Sequence, residues 1–443
     1  MPLSTAIVAV AAFVAGWAPV NVALAAPATA NAPQYVGAAV CAECHPRQTD
    51  QWRGSHHALA MQQASEKSVL GNFENARFVH GGVVSRFFKR DGKYFVTTDG
   101  ADGRLADFEI KFTFGVYPLQ QYLIELPGGR LQALSIAWDA RTKRDGGQRW
   151  YHLYPGERIK AGDPLHWTAR SQNWNYMCAA CHSTHLRKNY DLANNSFTTT
   201  WSDINVACEA CHGPGSAHAA WGNRPASAQA ASAGNGLLPR AASAREHRWV
   251  FAPNANIAHR VGASSAEDGV DVCFPCHARR RQITEPAEPG RPFLDNYAPT
   301  LLEPGAYHPD GQIDGEVYEY GSFTQSKMYR AGVVCSDCHE PHRLTLKATG
   351  NALCAQCHKP EAFDVASHHH HPAGSAGSQC IECHMPTKTY MGVDRRRDHG
   401  FRIPRPDLAV TGGTPNPCQQ CHGDKTAAWA AKAIETWRGK PVT

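Results

Sequence analysis

After residue 25, no stretch of this 443-residue chain is apolar enough to span a bilayer. A mature protein that crosses the membrane through a helix in its body is therefore excluded. No catalytic triad or acid–base pair stands out. Tandem repetition of one module is also missing, although one five-residue spelling recurs: its last seven copies follow one another at intervals of 30, 65, 62, 19, 26 and 38 residues. Methionine is scarce, with 6 residues against 24 histidines. No cysteine is spare.

What is present accounts for every one of the 16 cysteines. They fall into eight CxxCH motifs: Cys41/Cys44, Cys178/Cys181, Cys208/Cys211, Cys273/Cys276, Cys335/Cys338, Cys354/Cys357, Cys380/Cys383 and Cys418/Cys421. The histidines that follow are His45, His182, His212, His277, His339, His358, His384 and His422. A zinc ribbon or a thioredoxin-like dithiol gives no reason for a histidine after every pair. Covalent haem attachment does, because the two thiols bond to one edge of the porphyrin and the histidine turns beneath it to ligate iron. On a helical turn, residues at i, i+3 and i+4 share one face, so all three groups address one disc. The motifs predict eight c-type haems.

The N-terminal stretch MPLSTAIVAVAAFVAGWAPVNVALAAPATA has an apolar run interrupted by Gly16 and Pro19, with Ala23-Leu24-Ala25 as a small-residue cleavage site. No Lys or Arg precedes that run. Residues 1–25 are expected to be a secretory signal peptide. The remainder offers roughly 52 residues per haem, against roughly 100–200 residues for an ordinary hydrophobic core. The haems must then share a core, with chain wrapped around them. The 38 Gly and 29 Pro point to short helices and irregular loops. The expected fold is mainly α with extensive irregular loops around stacked haems, plus a small antiparallel β insert.

That insert is expected over residues 71–165, between a first haem-binding segment at 26–70 and a multihaem domain at 166–443 that carries seven haems. Ser85–Arg90 and Lys93–Thr98 flank Asp91-Gly92, a hairpin signal. DFEIKFTF at 107–114 alternates Phe108, Ile110, Phe112 and Phe114 with polar residues, as a half-buried strand does. Gln121–Leu126 and Leu131–Trp138 pair around Pro127-Gly128-Gly129, and Arg149–Tyr154 is a further strand candidate. The insert serves either as structural cover or as a docking surface for a redox partner.

The formal charge of +5 invites a nucleic-acid reading. Counting propionates removes it: eight haems shift the total to about −3 when ferric and about −11 when ferrous. Arg279–Arg281 and Arg395–Arg397 are read either as propionate partners or as solvated basic faces.

Sixth ligands must come from the other 16 histidines. The candidates are His56 or His57, His185, His218, His308, His342, one or two of the run His368–His371 (His369 and His370 foremost), and His399. His342 is awkwardly placed for its own haem and suits a neighbour. His259 is a weaker candidate. His80, His152, His166 and His247 read as structural.

CHEPH before a second motif, CHGPGSAH, CIECHMP and RRRDHGFRIPRPD resemble the multihaem cytochrome superfamily. That group includes the tetrahaem cytochrome of nitrifiers, pentahaem nitrite reductase and octahaem hydroxylamine oxidoreductase, and the likeness is greatest to octahaem cytochromes often fused to tetratricopeptide repeats. The resemblance covers roughly residues 35–435 and implies periplasmic or cell-surface electron transfer in bacteria. Every motif ends in His, whereas pentahaem nitrite reductase carries CxxCK at its catalytic haem. The expected function is multi-electron transfer through closely packed, mostly bis-His haems, with redox proteins as partners and no nucleic acid. Two alternatives stay open: an oxidoreductase acting on small nitrogen or sulfur compounds at one open haem, and a subunit of a conductive cytochrome polymer.

Overall fold

The computed structural model describes residues 32–232, 234–238, 247–262 and 269–439. Residues 34–443 gather into one unit, and the expected signal segment lies outside the described residues. A single antiparallel sheet dominates the first part. Its strands are β1 (Met61–Gln63), β2 (Ala76–His80), β3 (Val83–Arg90), β4 (Lys93–Asp99), β5 (Leu105–Phe114), β6 (Leu119–Leu126), β7 (Arg130–Ala133), β8 (Ile136–Asp139) and β9 (Arg149–His152). They run in the order β2-β3-β4-β5-β6-β8-β9, with β1 added beside β5 and β7 beside β6. The β3–β4 turn falls on Asp91-Gly92, both at positive φ (50° and 72°), the geometry a two-residue hairpin demands.

The expectation of a mainly α protein with a small β insert is overturned. Helix accounts for 28% of the chain and strand for 23%, and the sheet curls until it nearly closes. Phe87 on β3 stacks on Trp150 of β9 with ring centres 3.6 Å apart. His80 on β2 stacks on His152 of β9 at 3.9 Å. The physical reason is that the motif helices stay short. Cys208–His212 and Cys380–His384 are five residues each, and among described residues the longest helix is Ala427–Arg438. A helix one or two turns long buries little apolar surface by itself, so the larger apolar core belongs to the sheet.

Phe73 centres that core, meeting Phe87, Tyr94, Tyr122 and Trp150 edge to face at 5.0–5.6 Å. Strand β5 carries a register shift between Ile110 and Phe112. One extra residue turns the following side chains to the opposite face. Ile110 therefore packs in the sheet core with Phe73, while Phe114 joins Met61, Leu123, Leu131, Trp174 and Ala179 in a second cluster. The four apolar residues that alternate in the sequence do not share one face. Because the second cluster includes Trp174 and Ala179, it joins the sheet to the helices around Cys178.

Asp139, fully buried at the end of β8, accepts two hydrogen bonds from the Arg141 guanidinium at 2.9 and 2.7 Å. Burial disfavours its charge, but the Arg141 hydrogen bonds outweigh burial and hold the carboxyl below the usual carboxylate range. Its stabilising contribution is therefore complete above about pH 4, the ordinary unfolded value, and is lost as pH falls through the lower folded value. Asp139→Ala is expected to lower hydrogen-exchange protection of the β8–β9 amides by about 2 kcal/mol at neutral pH. The difference from wild type should shrink in acid, and a pH-independent difference contradicts the assignment.

Candidate functional site

Each motif is presented by about one helical turn. The first ends the helix Ala38–Cys44, Pro46 opens the next helix, and Cys335–Cys338 is itself a single turn. The last motif departs from the α-helical face expected of it. Pro417–Gln420 is a 3-10 turn, and Cys421 caps it, its amide donating to the Cys418 carbonyl at 3.2 Å. None of the 16 cysteines is joined in a disulfide.

The third motif carries a structural side chain inside its spelling: Glu209, 2% exposed, accepts from the amides of Val36, Gly37 and Gly215 at 2.7–3.0 Å. That carboxylate draws residues 36–37, just ahead of the first motif, against the third.

Six of the eight motif histidines are paired with a second histidine. The ring centres lie 6.0 Å apart for His45–His218, 6.4 Å for His277–His57 and 6.4 Å for His212–His342. They lie 6.4 Å apart for His339–His399, 6.3 Å for His384–His368 and 6.2 Å for His422–His371. Two imidazoles bound to opposite sides of one iron, each through a metal–nitrogen bond of about 2.0 Å, place their ring centres roughly 6.3 Å apart. The residues therefore fit haem iron. The stacked His80–His152 pair, at 3.9 Å, is too close to admit it.

Hydrogen bonding fixes which ring nitrogen is free. Nδ1 of His182, His384, His218, His399 and His371 faces a backbone carbonyl, of Ala60, Arg402, Asn235, Arg397 and His369 respectively, at 2.5–3.1 Å. Nδ1 of His277 lies 3.0 Å from the Glu319 carboxylate and Nδ1 of His342 lies 3.2 Å from Glu340. A proton donated at Nδ1 leaves the Nε2 lone pair available to a metal. Burial first, and the nearby His277 second, push the His57 imidazole down to about 4, so it is held in the neutral, ligating form.

The other candidates lie elsewhere. His56 is 6.3 Å from the Tyr117 ring. His185 stacks on Tyr35 at 3.8 Å and meets Arg187 through Nε2. His308 lies near Asp314 and lines a cavity of about 340 Å³ with Glu316, Tyr318, Lys388 and Tyr390. In the four-histidine run, the pairs fall on His368 and His371 instead of His369 and His370. His370 adopts φ 55° and stacks on Trp437 at 4.4 Å. That left-handed residue ends the helix Ala366–His369, so the flanking histidines address two different motifs. The i, i+3 spacing about a helix end is the signal in the sequence that would have found them.

His182 and His358 have no histidine at this spacing. His182 meets Phe114 edge to face at 5.5 Å and His358 meets Phe363 at 5.4 Å. The arginine runs are engaged with protein groups. Arg396 pairs with Glu316 and Asp394, Arg397 with Glu382, and Arg280 lies over the Tyr297 ring while donating to the Pro275 carbonyl.

The motifs also adjoin one another. Thiols come within hydrogen-bonding reach between Cys41 and Cys208, Cys181 and Cys276, Cys273 and Cys335, and Cys354 and Cys380. Cys211 and Cys273, Cys338 and Cys357, and Cys383 with both Cys418 and Cys421 lie near enough to influence each other's ionisation. All eight motifs join in one run, 41–208–273–335–354–380–418, with the motif at 178 attached at 273.

The family model described as cytochrome c554 and c-prime matches residues 40–77 and 151–213, and that of the doubled CXXCH motif matches residues 328–363. The chain is a multihaem c-type cytochrome. No curated protein matches it. Among solved structures it is similar to the outer cell wall cytochrome OcwA, at 18% identity and a TM-score of 0.56, over 91% of this chain and 87% of that one. That likeness is one of fold. The octaheme sulfite reductase MccA of Wolinella succinogenes aligns at 16% identity and a TM-score of 0.36, over 83% of this chain and 58% of that one, too loosely to carry an argument. As a multihaem cytochrome the chain transfers electrons, and covalent c-type haem is its cofactor.

The His45–His218 pair gives a direct check. In the haem-loaded cytochrome, His218→Ala should leave the covalent haem content unchanged and convert one low-spin ferric haem to high spin in the EPR spectrum. An unchanged spectrum rules out the pairing.

Proposed function

We propose that this chain is an exported octahaem cytochrome that relays or stores electrons along one continuous run of haems. The observation that carries this reading is the proximity of motif to motif, from Cys41 through to Cys418. The six histidine pairs at 6.0–6.4 Å supply the rest: each iron with two imidazoles is a low-spin carrier without an open position. The haems supply the redox chemistry when bound. The protein's own residues orient imidazoles through Nδ1, hold the motifs in contact and exclude water around them. A periplasmic or cell-surface setting accords with the signal-like first 25 residues. It also accords with the absence, among described residues, of a helix long and apolar enough to cross a membrane, and with the likeness to a cell-wall cytochrome. Redox proteins are the proposed partners.

A second reading rests on His182, whose side chain is paired with no histidine. The motif it follows also lies at the end of a spur off the main run. Tyr318 and Glu316, which line the 340 Å³ cavity, lie close to the thiols of that same motif. An open iron there would act on small nitrogen or sulfur compounds. The cavity's cations are matched by carboxylates, Arg396 by Glu316 and Asp394, and Lys388 by Asp314. It is therefore not built for anions alone.

Three measurements on protein made with a cytochrome c maturation system test both readings. Intact mass should equal the mature chain plus eight haems, and reductive titration should take up eight electrons per chain. Carbon monoxide should bind ferrous haem, at least at the motif that His182 closes. A smaller haem count contradicts the octahaem reading, and a protein inert to carbon monoxide removes the second one.

A further inference from the structure

We propose that Glu319 and Glu340 are positioning residues that make the adjacent Cys273 and Cys208 haems the low-potential pair of the run, each holding one axial imidazole through a carboxylate. The inference rests on the reading of a single haem run given above. What generates it is the kind of acceptor that each axial imidazole meets at Nδ1.

Those acceptors are of two kinds. His218, His371, His384 and His399 face neutral backbone carbonyls. These rings belong to the histidine pairs of the Cys41, Cys418, Cys380 and Cys335 motifs. His182 also faces a carbonyl, that of Ala60. His277 and His342 differ. His277 lies 3.0 Å from Oε2 of Glu319, and His342 lies 3.2 Å from Oε1 of Glu340. His277 follows Cys276 and pairs with His57, while His342 pairs with His212, the histidine that follows Cys211. The two carboxylates therefore fall on neighbouring members of the run.

The chain fixes both carboxylates in place. Glu319 opens the helix Glu319–Gln325. The next amide, that of Tyr320, donates to the His277 carbonyl at 3.0 Å. The start of that helix thus grips His277 at its backbone and at its ring. Glu340 lies inside the stretch CHEPH, between His339 of one histidine pair and His342 of another. Its Oε2 accepts from the Arg343 amide at 2.7 Å, which leaves Oε1 turned to the imidazole.

Charge decides the consequence. A carboxylate that accepts from Nδ1 draws the proton toward itself and makes the ring a stronger donor to a metal. A stronger donor favours ferric over ferrous iron, so the midpoint potential falls. A carbonyl carries no net charge and makes the weaker hydrogen bond. Position adds to the effect at the Cys273 motif, which adjoins the Cys208, Cys335 and Cys178 motifs. Electrons on three neighbours oppose one more there by Coulomb repulsion. Arg280 acts the other way, with Nη2 3.7 Å from Cys181. It sits at the thiol edge where the Cys178 and Cys273 motifs meet, whereas Glu319 acts on an axial ligand itself. Electrons in a partly reduced chain then settle to either side of the Cys208–Cys273 step.

Potentiometric titration of the haem-loaded protein, followed by visible absorption and EPR, tests the assignment. Glu319→Gln and Glu340→Gln keep the size of the side chain and an acceptor oxygen while removing the charge. Each should shift one midpoint upward from the bottom of the wild-type range, and the double variant should shift two. Haem mass and the low-spin EPR signals should stay as in wild type. Glu340→Asp keeps the charge and should hold that midpoint lower than Glu340→Gln does. Unchanged midpoints in variants that keep the wild-type haem count overturn the proposal, as do shifts confined to the upper half of the wild-type range. Should Glu319→Gln lose haem, the comparison of Glu340→Gln with Glu340→Asp decides, and equal midpoints in the two overturn it. A wild type with fewer than eight haems contradicts the run itself, a failure read from mass and not from potentials.

Discussion

A spacing of about 6 Å between two imidazole rings, the separation that an iron atom between them would require, recurs six times and ties together different segments of the chain. His57 reaches His277, and His342 reaches back to His212. Each pair closes a long loop, which would be entropically costly on its own. The metal bond offsets that cost only if both rings arrive with the correct nitrogen free. This explains why carbonyls and carboxylates so often occupy Nδ1. Ligation here is a folding interaction as much as an electronic one.

With roughly 52 residues per haem, the second half of the chain has mostly short helices and a smaller apolar cluster, around Phe274, Phe293 and Phe323. The sheet of residues 61–152 is different. It has a conventional aromatic core around Phe73 and meets the haem region where Leu119, Ala137 and Tyr151 pack on Val393 and where Phe114 and Met61 meet Trp174 and Ala179. The bulge in β5 produces that contact by turning Phe114 away from the sheet core. His182 sits at this seam, its Nδ1 held by the Ala60 carbonyl. The sheet thus helps build the site of the motif histidine that stands at the end of the spur.

The motifs were fully legible in the sequence because cysteines and histidine act within five residues. The individual strands were legible for the same local reason as the motifs: the hairpin at Asp91-Gly92 stands where its turn chemistry put it. Their sum was not. Nothing local says that β9 returns beside β2, or that a bulge would divide Phe108 and Ile110 from Phe112 and Phe114. Sixth ligands depend on contacts between distant segments, so context identified His218, His342 and His399 as candidates but could not name their irons. The four-histidine run misled for a finer reason, since the left-handed turn at His370 decides which rings point where. The arginine triplet at 395–397 reads in the sequence either as propionate partners or as a solvated basic face, and two of its members hold carboxylates of this chain.

The central claim is that the haems form one run in which the motif at 178 branches from that at 273. A high-resolution structure of the haem-loaded protein tests it most directly, by measuring the closest approach of porphyrin edges. The account predicts van der Waals contact, about 4 Å, at each successive step from the Cys41 haem through 208, 273, 335, 354, 380 and 418, with the Cys178 haem touching only the Cys273 haem. A layer of side chains separating any two neighbours in that order, or a Cys178 haem placed within the main run, would contradict it.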